Sequence, residues 1–125
     1  MPNRDEFPHV FEELKKILRS HVPPLVVTTD APDNYYLDTA NPIAGKPSPS
    51  SFAAAVQLRK NYVSYHFMPV YMFPDLLENI SDHLKKRMQG KACFNFTTVD
   101  ETLFSELAQL TAAGFQRFRQ QQNRG

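Results

Sequence analysis

A chain of 125 residues is about one domain long, and at that size it hides roughly two thirds of its unfolded surface, enough for a core without disulfide or metal staples. Its 14 basic and 13 acidic side chains nearly cancel, which excludes the global field that concentrates nucleic acid or draws a protein to an anionic membrane. The single cysteine, Cys93, excludes an internal disulfide and a cysteine-based zinc cage, and suits a reducing compartment.

Met1 to Glu6 carries charges and leads to no apolar run of signal length, and no stretch reaches the ~18 apolar residues of a membrane span. A cytoplasmic chain is expected, with no membrane and no nucleic-acid partner. The first element is a helix whose apolar stripe is Val10, Phe11, Leu14, Ile17, Leu18 and His21, opposite Glu12, Glu13, Lys15, Lys16 and Arg19. Pro23 and Pro24 stop it. Leu25 to Thr29 and Tyr35 to Thr39 are β-branched, apolar or aromatic, and the intervening Asp-Ala-Pro-Asp-Asn is turn chemistry, so a hairpin is expected there. Ala40 to Ser51, rich in Pro, Ser and Gly, is predicted to be a mobile surface loop.

Phe52 to Arg59 and Tyr62 to Met68 read as two strands about a Lys60-Asn61 turn. That turn fixes the register: Leu58 with Val63, Val56 with Tyr65 and Ala54 with Phe67 on the core side. The other face pairs Arg59 with Tyr62, Gln57 with Ser64, Ala55 with His66 and Ala53 with Met68. Pro74 suits a first helical position, so Pro74 to Ile80 reads as a short helix, with Tyr71, Phe73, Leu76 and Leu77 covering an edge of the core. Ser81 caps a second short helix ending at Gly90. Ala92 to Phe96 is the fifth strand, Phe94 and Phe96 on one face and Cys93 and Asn95 on the other.

Thr98-Val99-Asp100-Glu101 has the form of a capping box. The long helix it opens has Leu103, Phe104, Leu107, Leu110, Thr111, Gly114 and Phe118 on its inner side, and Gln120 to Gly125 is expected to fray. Gly114 inside a helix costs ~1 kcal/mol relative to Ala, and close packing against the sheet is the reason it implies. The order of elements predicts one α+β domain over residues 1–125. A five-stranded antiparallel sheet carries the N- and C-terminal helices on one face, with two short helices before the last strand.

Lys60-Asn61-Tyr62-Val63-Ser64-Tyr65, followed by Leu84-Lys85-Lys86-Arg87-Met88-Gln89-Gly90-Lys91-Ala92-Cys93-Phe94-Asn95-Phe96, resembles the YdhG-like domains of unknown function. These small bacterial α+β proteins share a lysine before an apolar strand and, later, a Gly-Lys followed by an aromatic strand. The resemblance runs from about Phe52 to Phe96 and implies the same α+β fold. One branch of that family is described as a frataxin-like iron chaperone, which implies metal carriage as a second functional reading, with Glu12, Glu13 and Asp38 as its carboxylates.

From the residues themselves the first reading is a non-enzymatic binding or interaction domain that uses the outer sheet face. Ala53 and Ala55 form a low floor there, and Tyr62, His66 and Met68 stand beside it, joined by Tyr35 or Tyr36 from a neighbouring strand. Small residues walled by aromatics suit a small apolar ligand or a second copy of the chain. The four histidines, His9, His21, His66 and His83, have no metal-ligand spacing, and no cofactor is expected. A third reading, an enzyme, requires Cys93 within about 3 Å of His66 as its base.

Overall fold

The computed structural model describes residues 6–22, 25–38 and 52–124. Along them run α1 (Phe7–Arg19), β1 (Val26–Ala31), β2 (Asn34–Asp38), β3 (Phe52–Leu58), β4 (Val63–Phe67), α2 (Met68–Met72), a 3-10 turn (Pro74–Asn79), α3 (Asp82–Lys85), β5 (Cys93–Phe96) and α4 (Glu101–Arg124). The strands form an antiparallel meander in the order β1-β2-β3-β4-β5. This is the expected α+β architecture. The predicted 40–51 loop and the two prolines after α1 lie outside the described residues, and the helical backbone of α4 continues to Arg124 through the stretch expected to fray.

The β3–β4 register is the predicted one. Leu58 pairs with Val63, Val56 with Tyr65 and Ala54 with Phe67, while Gln57 with Ser64 and Ala55 with His66 occupy the other face. The Arg59 N–H donates to the Tyr62 carbonyl at 2.8 Å and closes the Lys60-Asn61 turn. Strand alternation carries each face across the sheet. On the inner face Tyr35, Val56, Tyr65 and Phe94 form one continuous buried row. Against this face α1 packs Phe7, Val10, Phe11, Leu14 and Leu18, and α4 packs Leu103, Phe104, Leu107, Leu110 and Phe115.

Two contacts tie α4 to this core. The Thr111 hydroxyl donates to the Leu107 carbonyl at 2.7 Å, so at their 2.6 Å contact Tyr65 is the donor to Thr111 Oγ1. Burial raises the Tyr65 pKa far above its ordinary value, and the bond to Thr111 acts in the opposite direction. Gly114 is the second contact. A Cβ there would lie 2.5 Å from Phe67 Cζ, 2.7 Å from Phe67 Cε2 and 2.8 Å from Pro69 Cβ, so the close approach inferred from the sequence is the reason for this glycine.

Four local readings are corrected. β4 ends at Phe67, and Met68 opens α2 instead of continuing the strand. Pro69 explains the change, because it has no N–H for a ladder and its fixed φ suits a first helical turn. Tyr71, on α2, is 55% exposed and does not cover the core, whereas Phe73, Leu76 and Leu77 pack against it as expected. α3 ends at Lys85, not near Gly90; its Ser81 cap accepts from the Leu84 N–H at 3.2 Å. The Ser81 N–H and hydroxyl also donate to Glu106 at 2.6 Å each, fastening α3 to α4. Finally, α4 is capped by Asp100, whose Oδ1 accepts from the Leu103 N–H at 3.1 Å, not by Thr98.

Candidate functional site

The outer face repeats the alternation with different chemistry. One row across the sheet is Tyr36, Ala55, His66 and Cys93, and the next is Asn34, Gln57, Ser64 and Asn95. Over the β4–β5 part of these rows lies a shallow cleft of ≈240 Å³ lined by Arg59, Tyr62, Ser64, His66, Gln89, Cys93 and Asn95. Gln89 is brought there by a turn beyond the strand. Gly90 takes the left-handed backbone region at φ +81°, the Gln89 N–H donates to the Cys93 carbonyl at 2.9 Å, and the Asn95 N–H donates to the Arg87 carbonyl at 2.8 Å. The Asn95 side-chain amide donates to Gln89 Oε1, and both residues line the cleft.

Three side chains form a chain of contacts in the cleft. Cys93 Sγ lies 2.8 Å from His66 Nδ1, and His66 Nε2 lies 3.0 Å from Ser64 Oγ. Burial lowers the His66 pKa and the nearby Arg59 cation lowers it further. Burial raises the Cys93 thiol pKa, with Arg59 acting the other way. Both shifts favour the neutral pair. A neutral sulfur is a weak acceptor and a thiol hydrogen needs one, which assigns S–H donation to Nδ1 and places the ring proton on Nε2, donated to Ser64. His66 is half-buried, and its pKa lies below the ordinary value.

The structure sorts the sequence-derived site residues. Tyr62 and His66 line the cleft, and Ala55, 1% exposed, lies between Tyr36 and His66 in the outer row. Ala53 does not extend this floor. It falls at the register shift where Asp38 pairs with Phe52, and it joins the buried apolar cluster. Met68 packs against the core from the start of α2. Tyr35 points inward, 2% exposed, with the Lys15 ammonium 5.1 Å from its ring centroid, so the aromatic of the outer row is Tyr36. The cleft is accordingly polar, not the apolar groove expected.

Comparison with protein-family models, with curated proteins and with solved structures finds no match to this chain. The site is therefore read from its own chemistry. Among the described residues no three His, Cys, Asp or Glu side chains converge as metal ligands. Of the carboxylates named for metal carriage, Glu13 instead accepts from Lys16 Nζ at 2.7 Å, a contact that holds its pKa below the ordinary value. Among the same residues no helix is long and apolar enough to cross a membrane.

Arg59, Ser64, Gln89 and Asn95 were absent from the sequence-derived site. The first two and Asn95 follow from strand parity once His66 is taken as the centre, since Ser64 is two residues before it and Asn95 two after Cys93. Gln89 had no such signal. Its position depends on the turn at Gly90, which local sequence reads equally well as a helix end.

Proposed function

We propose that the outer face of β4 and β5 is a binding site for a small anionic molecule. The observation that carries this reading is the composition of the cleft: one guanidinium, a neutral imidazole, a thiol, two hydroxyls and two amides, with no carboxylate among the lining residues. A guanidinium presents paired N–H donors that match a carboxylate or phosphate. Its charge reaches the cleft, since Arg59 perturbs both His66 and Cys93. The size supports a ligand of a few heavy atoms, because ≈240 Å³ lies below the ~300–1,000 Å³ of sites that enclose drug-sized molecules.

Malonate, a compact dianion, is a suitable probe. Titrated into ¹⁵N-labelled protein, it produces saturable shifts at the amides of Tyr62, Ser64, His66, Cys93 and Asn95. Arg59→Gln weakens the apparent affinity by about tenfold, the loss of roughly one exposed charge-assisted pair. Shifts that never saturate, or that are unchanged in Arg59→Gln, would remove the reading.

A further inference from the structure

We propose that Cys93 is a nucleophile toward activated acyl groups, esters or thioesters, carried on small anionic molecules, with His66 as its general base and Ser64 positioning that base. The inference rests on the anion-binding reading of the same cleft and adds chemistry to it. Its basis is the order of contacts: thiol to Nδ1 at 2.8 Å, then Nε2 to a hydroxyl at 3.0 Å. Nucleophile, base and orienting group thus stand in sequence, each within hydrogen-bond reach of the next. Each also lines the cleft. A cysteine kept only as a small hydrophobe would face the apolar layer with Phe94 and Phe96, and Cys93 occupies the opposite face of β5.

The step balances without a further reagent. Sulfur attacks the carbonyl carbon and a C–S bond forms, while the thiol proton passes to His66 Nδ1 and the carbonyl π pair moves onto oxygen. The side-chain amide of Gln89, one of the lining residues, is the donor assigned to the negative oxygen. Collapse restores the C=O bond and expels the alkoxide or thiolate, which takes the proton back from Nδ1. The products are an acyl thioester on Cys93 and a free alcohol or thiol. Water then reverses the roles: it gives a proton to His66, attacks the thioester carbon, and releases the acid as the Cys93 sulfur regains its proton. Arg59 supplies the selection for an anionic carrier, since it is the cation among the lining residues.

The test is intact-mass kinetics with 4-nitrophenyl acetate at pH 7, read beside malonate shifts in the same samples. Wild-type protein takes one acetyl group on Cys93 faster than a short cysteine peptide does, and saturating malonate slows it. Cys93→Ser takes none. His66→Gln is at least about a hundredfold slower, the lower end of what a positioned base contributes. Ser64→Ala is also slower, and Ser64→Thr, which keeps the hydroxyl, restores the rate; loss of packing alone would not be rescued in this way. Thermal melts establish that each variant is folded, with His66→Asn as the second variant should His66→Gln fail to melt cooperatively. Acylation no faster than the peptide, or unchanged in His66→Gln, overturns the proposal even where malonate shifts persist in Cys93→Ser and the binding reading stands. Rapid acylation without malonate shifts instead overturns the binding reading, and the anionic substrate class with it.

Discussion

The two faces of the same three strands differ in how their side chains are satisfied. On the inner face of β3, β4 and β5 the row Val56, Tyr65, Phe94 is buried by α1 and α4, and its one polar group, the Tyr65 hydroxyl, is answered from α4 by Thr111. On the outer face Ser64, His66 and Cys93 answer one another within the sheet. Partners drawn from another layer fix the fold. Partners drawn from the same sheet leave His66 and Cys93 half-buried and able to meet a ligand, which is what a site requires. Burial is therefore a poor guide to role here: Ser64 is 3% exposed and Tyr65 0%, yet one belongs to the cleft and the other to the core.

The largest expected effect belongs to the inner face. Tyr65→Ala destabilises by about 3 kcal/mol or more in denaturant melts, since it empties a fully buried aromatic site and strips Thr111 of its donor. A smaller loss than Ser64→Ala would mean that the faces have been exchanged.

Gly114→Ala comes next, and its sign is informative. Helix propensity alone makes Ala better by ~1 kcal/mol. The new methyl would meet the Phe67 ring at 2.5 Å and 2.7 Å, and that ring is packed edge-on to Phe115 at a 5.2 Å centroid distance, which leaves it little room to give. Overpacking of this kind costs about 1–3 kcal/mol, so net destabilisation is expected. A rise in melting temperature would show that α4 can lift away from the sheet.

Ser64→Ala is expected to cost about 1 kcal/mol, the value of one partly buried hydrogen bond, and not to be silent. Double-mutant cycles with His66→Gln sharpen the point: non-additivity between the two locates the energy in their contact.

The smallest effects are the pH limbs. His66 has a folded pKa below its unfolded value of about 6.5, so the unfolded chain holds the extra proton in that window; the contribution is full above pH ~6.5 and is lost as pH falls through the folded pKa. For Cys93 the sign reverses. Its folded pKa lies above the unfolded value of about 8.5, so its contribution is full below that pH and is lost as pH rises through the folded pKa. Urea melts across this range should lose the acid limb in His66→Gln and the alkaline limb in Cys93→Ser. Limbs that persist unchanged in the variants would assign them to other groups.

Much of the fold was legible because short-range chemistry and long-range packing agree. The Lys60-Asn61 turn and the alternation on either side gave the β3–β4 register pair for pair, and Gly114 in an otherwise good helix announced a close approach. The misread points are those where tertiary pairing decides between locally equal choices. Tyr35 and Tyr36 are adjacent and alike, and only the pairing of Tyr35 with Val56 sends the first inward. Ala53 has the parity of the outer face, but a shifted register next to it places it in the core. Met68 was assigned to a strand although Pro69 already carried the signal that the ladder ends. Of the cleft, His66 and Tyr62 were reached by parity, and Cys93 and Asn95 were placed together on one face of β5 without being joined to them. The polarity of the cleft was not reached, because it depends on Gln89 being carried over the sheet by a turn.

His66 faces the Cys93 thiol as a neutral base, and a long-range ¹H–¹⁵N spectrum of the imidazole at pH 7 reads that state directly. The structure predicts a proton on Nε2, held by Ser64, and an unprotonated Nδ1 whose nitrogen shift moves when Cys93 is replaced by Ser. A protonated Nδ1, whether as the other tautomer or as imidazolium, would contradict it.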